Sequence, residues 1–253
     1  MLTSGIKFIK FKIKKKNKKI NKELNILLKE NNQIIKSLTS NYKNKFNSKS
    51  LLKFKKNKNF RLIGMGGSSL GSQAIYDFLK HKIKKCFKFL DNLNSNHREF
   101  LKSNNVNIII SKSGSTLETI VNSNIYIKKN QKNIFITEDK KSYLHVLAEK
   151  LKSEIIHHNN FIGGRYSVLS EVGMLPAELM GLDASKFKQF NNLVKNKKFL
   201  NNLIGNVETI IHLIKKKKFN SVILNYDEKS TNLFNWYQQL VAESLGKQGM
   251  GVL

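Results

Sequence analysis

The pattern of apolar and polar positions changes character near residue 60. In residues 1–58, lysine clusters alternate with apolar residues such as Ile20, Leu24, Leu27, Leu28, Ile34 and Ile35. Spacings of three and four put such residues on one face of a helix, so this stretch predicts one or two amphipathic helices packing on a later domain. Residues 43–58 are polar and read as a loop. From Phe60 onward, short apolar runs alternate with helix-length stretches. Runs at 60–65, 87–90, 106–110, 134–137 and 154–157 predict strands, the run Val106–Ile110 being the clearest. Stretches at 69–79, 115–128 and 141–151 between them predict helices. Strands alternating with helices imply a five-stranded parallel sheet covered by helices on both faces, a three-layer α/β/α domain over residues 59–182.

Residues 183–218 then read as a connecting helix, with Phe187, Phe190, Val194, Leu200, Leu203 and Ile210 at helical intervals and Gly205 as its expected break. A strand at 222–225 and a helix at 232–245 restart the earlier rhythm. One strand cannot form a parallel sheet, so residues 219–253 are expected to be the beginning of an incomplete second domain. The basic helical segment 1–58 precedes both.

Composition changes this picture little. The formal charge of +29 invites a nucleic-acid reading, but the cations are 43 lysines and only three arginines, Arg61, Arg98 and Arg165. Readers of nucleic acid favour the bidentate fork of arginine. Residues 1–60 alone carry 18 Lys against two Glu, and AT-rich codons account for the abundance of Lys, Asn and Ile together. A lysine-coated, solvated surface is the favoured reading, with nucleic acid not expected as a partner. There is no apolar run of membrane-spanning length and no apolar signal-peptide core, so a cytoplasmic protein is expected. The single cysteine, Cys86, leaves no internal disulfide and no cysteine cage for zinc.

Four motifs carry the candidate chemistry. Gly64-Met65-Gly66-Gly67-Ser68-Ser69-Leu70-Gly71 follows a strand and opens a helix, where glycine lets backbone N–H groups approach an anion. It lacks the Gly-Lys-Ser/Thr of a Walker loop. A dinucleotide site stays open on this motif alone, because Asp91 falls where a ribose-binding acid would sit, and so does a plain tight turn. Ser111-Lys112-Ser113-Gly114-Ser115-Thr116 follows the strand Val106–Ile110. Its four hydroxyls, one cation and a helix N-terminus suit a phosphate monoester. Ser115 and Glu118 also match a capping box. One hydroxyl suffices for capping, and the other three favour phosphate.

Gly163-Gly164-Arg165-Tyr166-Ser167 places a rare arginine behind two glycines, suited either to a ligand or to a structural ion pair. Residues 238–247, Gln-Gln-Leu-Val-Ala-Glu-Ser-Leu-Gly-Lys, put Gln239 and Glu243 on one helix face. Glu243 is then either a surface residue paired with Lys247 or a carboxylate that apolar neighbours desolvate towards a general base.

Together and in this order, the four motifs resemble the successive signatures of the glucose-6-phosphate isomerase family. The resemblance covers residues 60–253. It implies two sugar-isomerase (SIS) domains, the first complete and the second begun, with the active site between them. It further implies that Ser111, Lys112, Ser113 and Thr116 bind the phosphate with help from Gln239, and that Gly67, Ser68 and Gly164 line the sugar. Arg165 would stabilise an enediolate, and Glu243 would carry a proton between C1 and C2. The implied reaction interconverts glucose 6-phosphate and fructose 6-phosphate, an aldose–ketose isomerisation of glycolysis and gluconeogenesis. It needs no metal and no organic cofactor, and the complete protein is expected to be a homodimer.

The family's ring-opening histidine and C-terminal lysine motifs do not occur here. His81, His97, His145, His157, His158 and His212 read as structural or surface residues. The chain is therefore expected to be a truncated portion, inactive alone. Another SIS isomerase, or a non-catalytic sugar-phosphate sensor using the lysine-rich segment on DNA, are the alternatives.

Overall fold

The computed structural model describes residues 18–93 and 105–246. His97, Arg98 and Lys247, named above, lie outside the described residues. Contacts divide the described residues into two units: 43–93, 105–187 and 225–239 form one, and 18–42, 188–224 and 240–246 the other.

The larger unit is built on strands β1 (Asn59–Ile63), β2 (Cys86–Leu90), β3 (Val106–Ile110), β4 (Asn133–Thr137) and β5 (Glu154–His157). They form one parallel sheet in the order β2-β1-β3-β4-β5. Successive side chains of a strand point to opposite faces. Phe60, Leu62, Ile108, Ile110, Ile134, Ile136 and Ile156 fill one core. Ile63, Ile109 and Phe135 fill the other. Burial on both faces explains why these strands read as unbroken apolar runs.

Helices α3 (Leu52–Lys55), α4 (Leu70–Phe78) and α7 (Glu171–Met180) supply the first core through Phe54, Ile75, Tyr76, Val172 and Leu175. Helices α5 (Leu117–Tyr126) and α6 (Tyr143–Lys150) supply the second through Tyr126, Leu144 and Ala148. The three-layer α/β/α architecture is the expected one. Arg61 is buried in the second layer beneath Tyr126, where its Nη1 donates to Asn107 Oδ1 (3.1 Å) and the Tyr126 carbonyl (3.0 Å). Burial lowers its pKa, which the Tyr126 hydroxyl partly opposes. Arg61 is thus a core residue rather than a ligand-binding one.

Two expectations about local structure within this unit are corrected. Residues 43–58 are not simply a loop: α3 forms within them because Leu51 and Phe54 are 0% and 3% exposed against the sheet. Burying two large apolar groups outweighs the solvation of the surrounding lysines. Further on, α5 is capped at Thr116 without a side-chain hydrogen bond, so the Ser115–Glu118 capping box does not form. The Ser115 hydroxyl donates instead to Ser113 Oγ (3.0 Å).

The smaller unit contains α1 (Lys18–Lys29), α2 (Gln33–Ser37), α8 (Phe190–Lys195) and α9 (Lys197–Lys215). The amphipathic helices expected before residue 43 are α1 and α2. The connecting stretch breaks at Asn196, which caps α9 by accepting from Phe199 N (3.1 Å), and not at Gly205, which lies inside α9. A capping side chain satisfies an otherwise orphaned N–H, a stronger local signal than one glycine. Residues 222–225 are exposed and form no strand, because no described segment offers the hydrogen bonds a strand needs. Helix α10 (Thr231–Leu245) follows, close to its expected span.

Candidate functional site

The sheet order puts β1 and β3 side by side although the chain visits β2 between them. Their following connections leave in opposite directions and open a crevice at the carboxyl ends, the usual ligand position in such sheets. The first motif follows β1 and the second follows β3, so the topology brings both to this edge.

Behind β1, a tight turn at Gly66–Ser68 leads into α4. Gly67 is pressed against the third motif: a Cβ here would lie 2.3 Å from the Gly164 carbonyl carbon and 2.7 Å from Arg165 N. Only glycine permits that approach of two backbones. The Ser167 hydroxyl closes the contact, donating to the Gly164 carbonyl (2.7 Å) and reaching the Gly67 carbonyl (3.4 Å). Ser68 is half-buried in the same turn. The Gln239 amide sits over Gly66, 2.9 Å from where a Cβ would be.

Behind β3, Ser111 is buried, and its hydroxyl lies 3.0 Å from Thr116 Oγ1. Ser113 Oγ accepts from both the N–H and the hydroxyl of Ser115. Gly114 has φ +66, and a Cβ there would overlap Ser142 Oγ, so this turn is closed only with glycine. Four hydroxyls therefore lie in the turn that leads into α5. Lys112 turns aside from them. Its Nζ donates to the Asn160 carbonyl (2.8 Å) and pairs with Glu138 Oε1 (3.4 Å), while Lys140 takes the other Glu138 oxygen (3.3 Å). Lys112 thus ties the hydroxyl-rich turn to the segment leading into Arg165.

Arg165 lies in a 3₁₀ turn, Gly164–Leu169, between β5 and α7. Its guanidinium stands over the Tyr166 ring (5.1 Å), and its carbonyl accepts from Trp236 Nε1 (3.2 Å). Gly67, Gly164, Arg165 and Gln239 are therefore brought together with Trp236. The sequence reading did not single out Trp236. The available signal was the chain's one tryptophan, three residues before Gln239 and so on a shared helix face.

Glu243 is one turn beyond Gln239 on α10 and is exposed. No residue of α10 is buried. Asp91, the possible ribose acid, accepts from Gln73 Nε2 (2.9 Å) on α4 and so has a structural partner. No cluster of three metal-ligating side chains occurs among the described residues, and none of their helices is long and apolar enough to cross a membrane.

His158 and Glu171 are a second feature the sequence reading missed as a pair. They are 1% and 0% exposed, with His158 Nδ1 and Glu171 Oε1 3.0 Å apart. Burial works against the carboxylate, but the His158 hydrogen bond, the N–H groups of Glu171 and Asn159 and the nearby imidazole together hold its pKa below the ordinary value.

Solved structures share the fold. A crystal structure of a hypothetical protein from Thermus thermophilus superposes with a TM-score of 0.69 at 23% identity, covering 93% of this chain and 62% of that one. A tagatose-6-phosphate ketose/aldose isomerase from Escherichia coli superposes with a TM-score of 0.58 at 13% identity, covering 81% and 58%. These likenesses concern the fold. In sequence, the glucose-6-phosphate isomerase of Methanocaldococcus jannaschii is 35% identical over 212 residues, covering 77% of this chain and 52% of the relative. The chain spans about half the length of the curated relatives it matches. The family described as phosphoglucose isomerase matches residues 13–250, nearly the whole chain, and this chain belongs to that family.

Proposed function

We propose that this chain supplies the sugar-phosphate-binding and enediolate-stabilising part of a glucose-6-phosphate isomerase. The observation that carries the reading is the backbone contact between Gly67 and Gly164–Arg165 beside the hydroxyl-rich turn after β3. The Ser111, Ser113 and Thr116 hydroxyls and the N-terminal amides of α5 hold the phosphate, a dianion that such donors favour. Lys112 adds positive potential and braces the turn. Gly67, Ser68 and Gly164 line the sugar, and Gln239 holds it from α10.

In the reaction, Glu243 removes the C2 proton of the open-chain aldose and returns it to C1. The electron pair left behind spreads over the C1 and C2 oxygens, where Arg165 provides a fixed positive charge. A proton shift from the C2 hydroxyl to the C1 oxygen, together with return of the carbon-bound proton to C1, gives the ketose, an isomer of the aldose, so atoms and charge balance without an external redox partner. A homodimeric, cytoplasmic assembly accompanies this reading for the whole protein.

Two measurements test it. Fructose 6-phosphate titrated calorimetrically into the chain should bind, and a Ser111→Ala, Thr116→Ala double variant should lose at least roughly ten-fold in affinity, about the worth of one charge-assisted hydrogen bond. Unchanged affinity in a folded double variant would refute the phosphate assignment. In a coupled isomerisation assay of the completed protein, Arg165→Lys should lower turnover more than it raises KM; the reverse would remove Arg165 from its role.

A further inference from the structure

Residues 158–170 connect β5 to α7 and carry Arg165. Phe161 is 78% exposed, and two successive glycines precede the arginine. Glycines carry the largest backbone entropy, so a fixed place for Arg165 requires anchors on the chain just before it.

The anchors converge on one buried pair. The His158 N–H donates to the Thr137 carbonyl (2.7 Å) at the end of β4. Its imidazole then bridges the connection: Nδ1 faces Glu171 Oε1 and Nε2 faces the Ile162 carbonyl, each at 3.0 Å. The same Glu171 oxygen accepts from Asn159 N (2.8 Å). Glu171 is in the first turn of α7, and Ile162, adjacent to Gly163, is fully buried. The Ile162 carbonyl can only accept, so Nε2 donates to it while Nδ1 engages the Glu171 carboxyl. The loop's start, its buried residue before the glycines and the helix after them are thereby joined through one side chain.

A buried polar pair of this kind is a poor source of net stability, since desolvation offsets what its hydrogen bonds return and apolar replacements often do as well. What it supplies is a single geometry. We propose that His158 and Glu171 are positioning residues that clamp the 159–165 segment and so fix Arg165 against Gly67. This rests on the reading of Arg165 as the enediolate-stabilising group.

The chain's one tryptophan donates to the Arg165 carbonyl, so the Trp236 indole N–H resonance reads the clamped turn without any ligand. In the ¹⁵N-labelled chain, His158→Gln and Glu171→Gln should each shift that resonance beyond its linewidth while far-UV circular dichroism stays the same. Fructose 6-phosphate affinity should fall about ten-fold, the scale of coupling within one hydrogen-bonded network. His81→Gln, at an exposed position in the 3₁₀ turn after α4, should change neither. Glu171→Gln keeps an acceptor for Asn159 and is the milder of the two. Folded variants with an unmoved indole resonance would overturn the proposal. Loss of fold in both variants would also overturn it, by making the pair a core element. If the wild-type chain fails to bind fructose 6-phosphate, the sugar-phosphate reading falls while the indole comparison still decides the clamp.

Discussion

Replacing Gly67 by alanine should disturb this protein out of proportion to one methyl group. The new Cβ would lie 2.3 Å from the carbonyl carbon of Gly164, 2.5 Å from its oxygen and 2.7 Å from Arg165 N. All three are backbone atoms, so no side-chain rotation relieves the overlap. Unstrained carbon contacts start near ~3.5 Å, so one of the two turns must retreat by about 1 Å. Overpacking of this kind costs about 1–3 kcal/mol, which lowers the melting temperature by roughly 2–12 °C for a domain of this size. A displacement of about 1 Å in a positioned group can also cost on the order of a hundred-fold in rate. Gly163→Ala is the matched control. Its nearest new neighbour would be Tyr166 Cδ2 at 3.6 Å, and its φ of −68 and ψ of 155 suit alanine. Thermal melts followed by circular dichroism, with fructose 6-phosphate titrations, compare the two variants. If Gly67→Ala melts within about 1 °C of Gly163→Ala and binds equally well, the two turns are not in backbone contact and the site as described is wrong.

Three further outcomes are expected. Gly205→Ala should stabilise the chain by about 0.5–1 kcal/mol in urea denaturation, because Gly205 lies inside α9 and its Cβ would meet nothing within 4 Å; a destabilised variant would contradict the helix placement. Phe54→Ala should cost about 3–5 kcal/mol in the same assay, as for other buried aromatic truncations, whereas no effect would return residues 43–58 to the surface. Acid should weaken the wild type through Glu171: its depressed folded-state pKa gives stability that is present above the ordinary carboxylate value and lost as pH falls through the folded one. The melting-temperature advantage of wild type over Glu171→Gln should therefore shrink below about pH 4, and a gap constant from pH 7 to 3 would show that the carboxylate is not the stabilising form.

Sequence alone was enough for what depends on local chemistry. Val106–Ile110 could be recognised as a central strand because burial on both faces demands apolar residues at nearly every position, and all five are buried. The turns at 64–67 and 111–116 could be recognised because close backbone approach and positive φ call for glycine wherever they occur. Other features depended on what the rest of the chain provides. Leu51 and Phe54 look like isolated apolar residues among lysines until a sheet face is present to bury them. Ser115 matches a cap by spacing, but the turn that puts Gly114 against Ser142 moves the helix start to Thr116. Residues 222–225 carry a strand's composition, yet strand formation requires a hydrogen-bonding neighbour that no described segment supplies. The link from Gly67 to Arg165 spans about a hundred residues, and that from His158 to Glu171 joins two residues whose types alone suggest solvated positions. Both exist because the parallel sheet delivers the carboxyl ends of its strands to one edge, a property of chain topology that no local window contains.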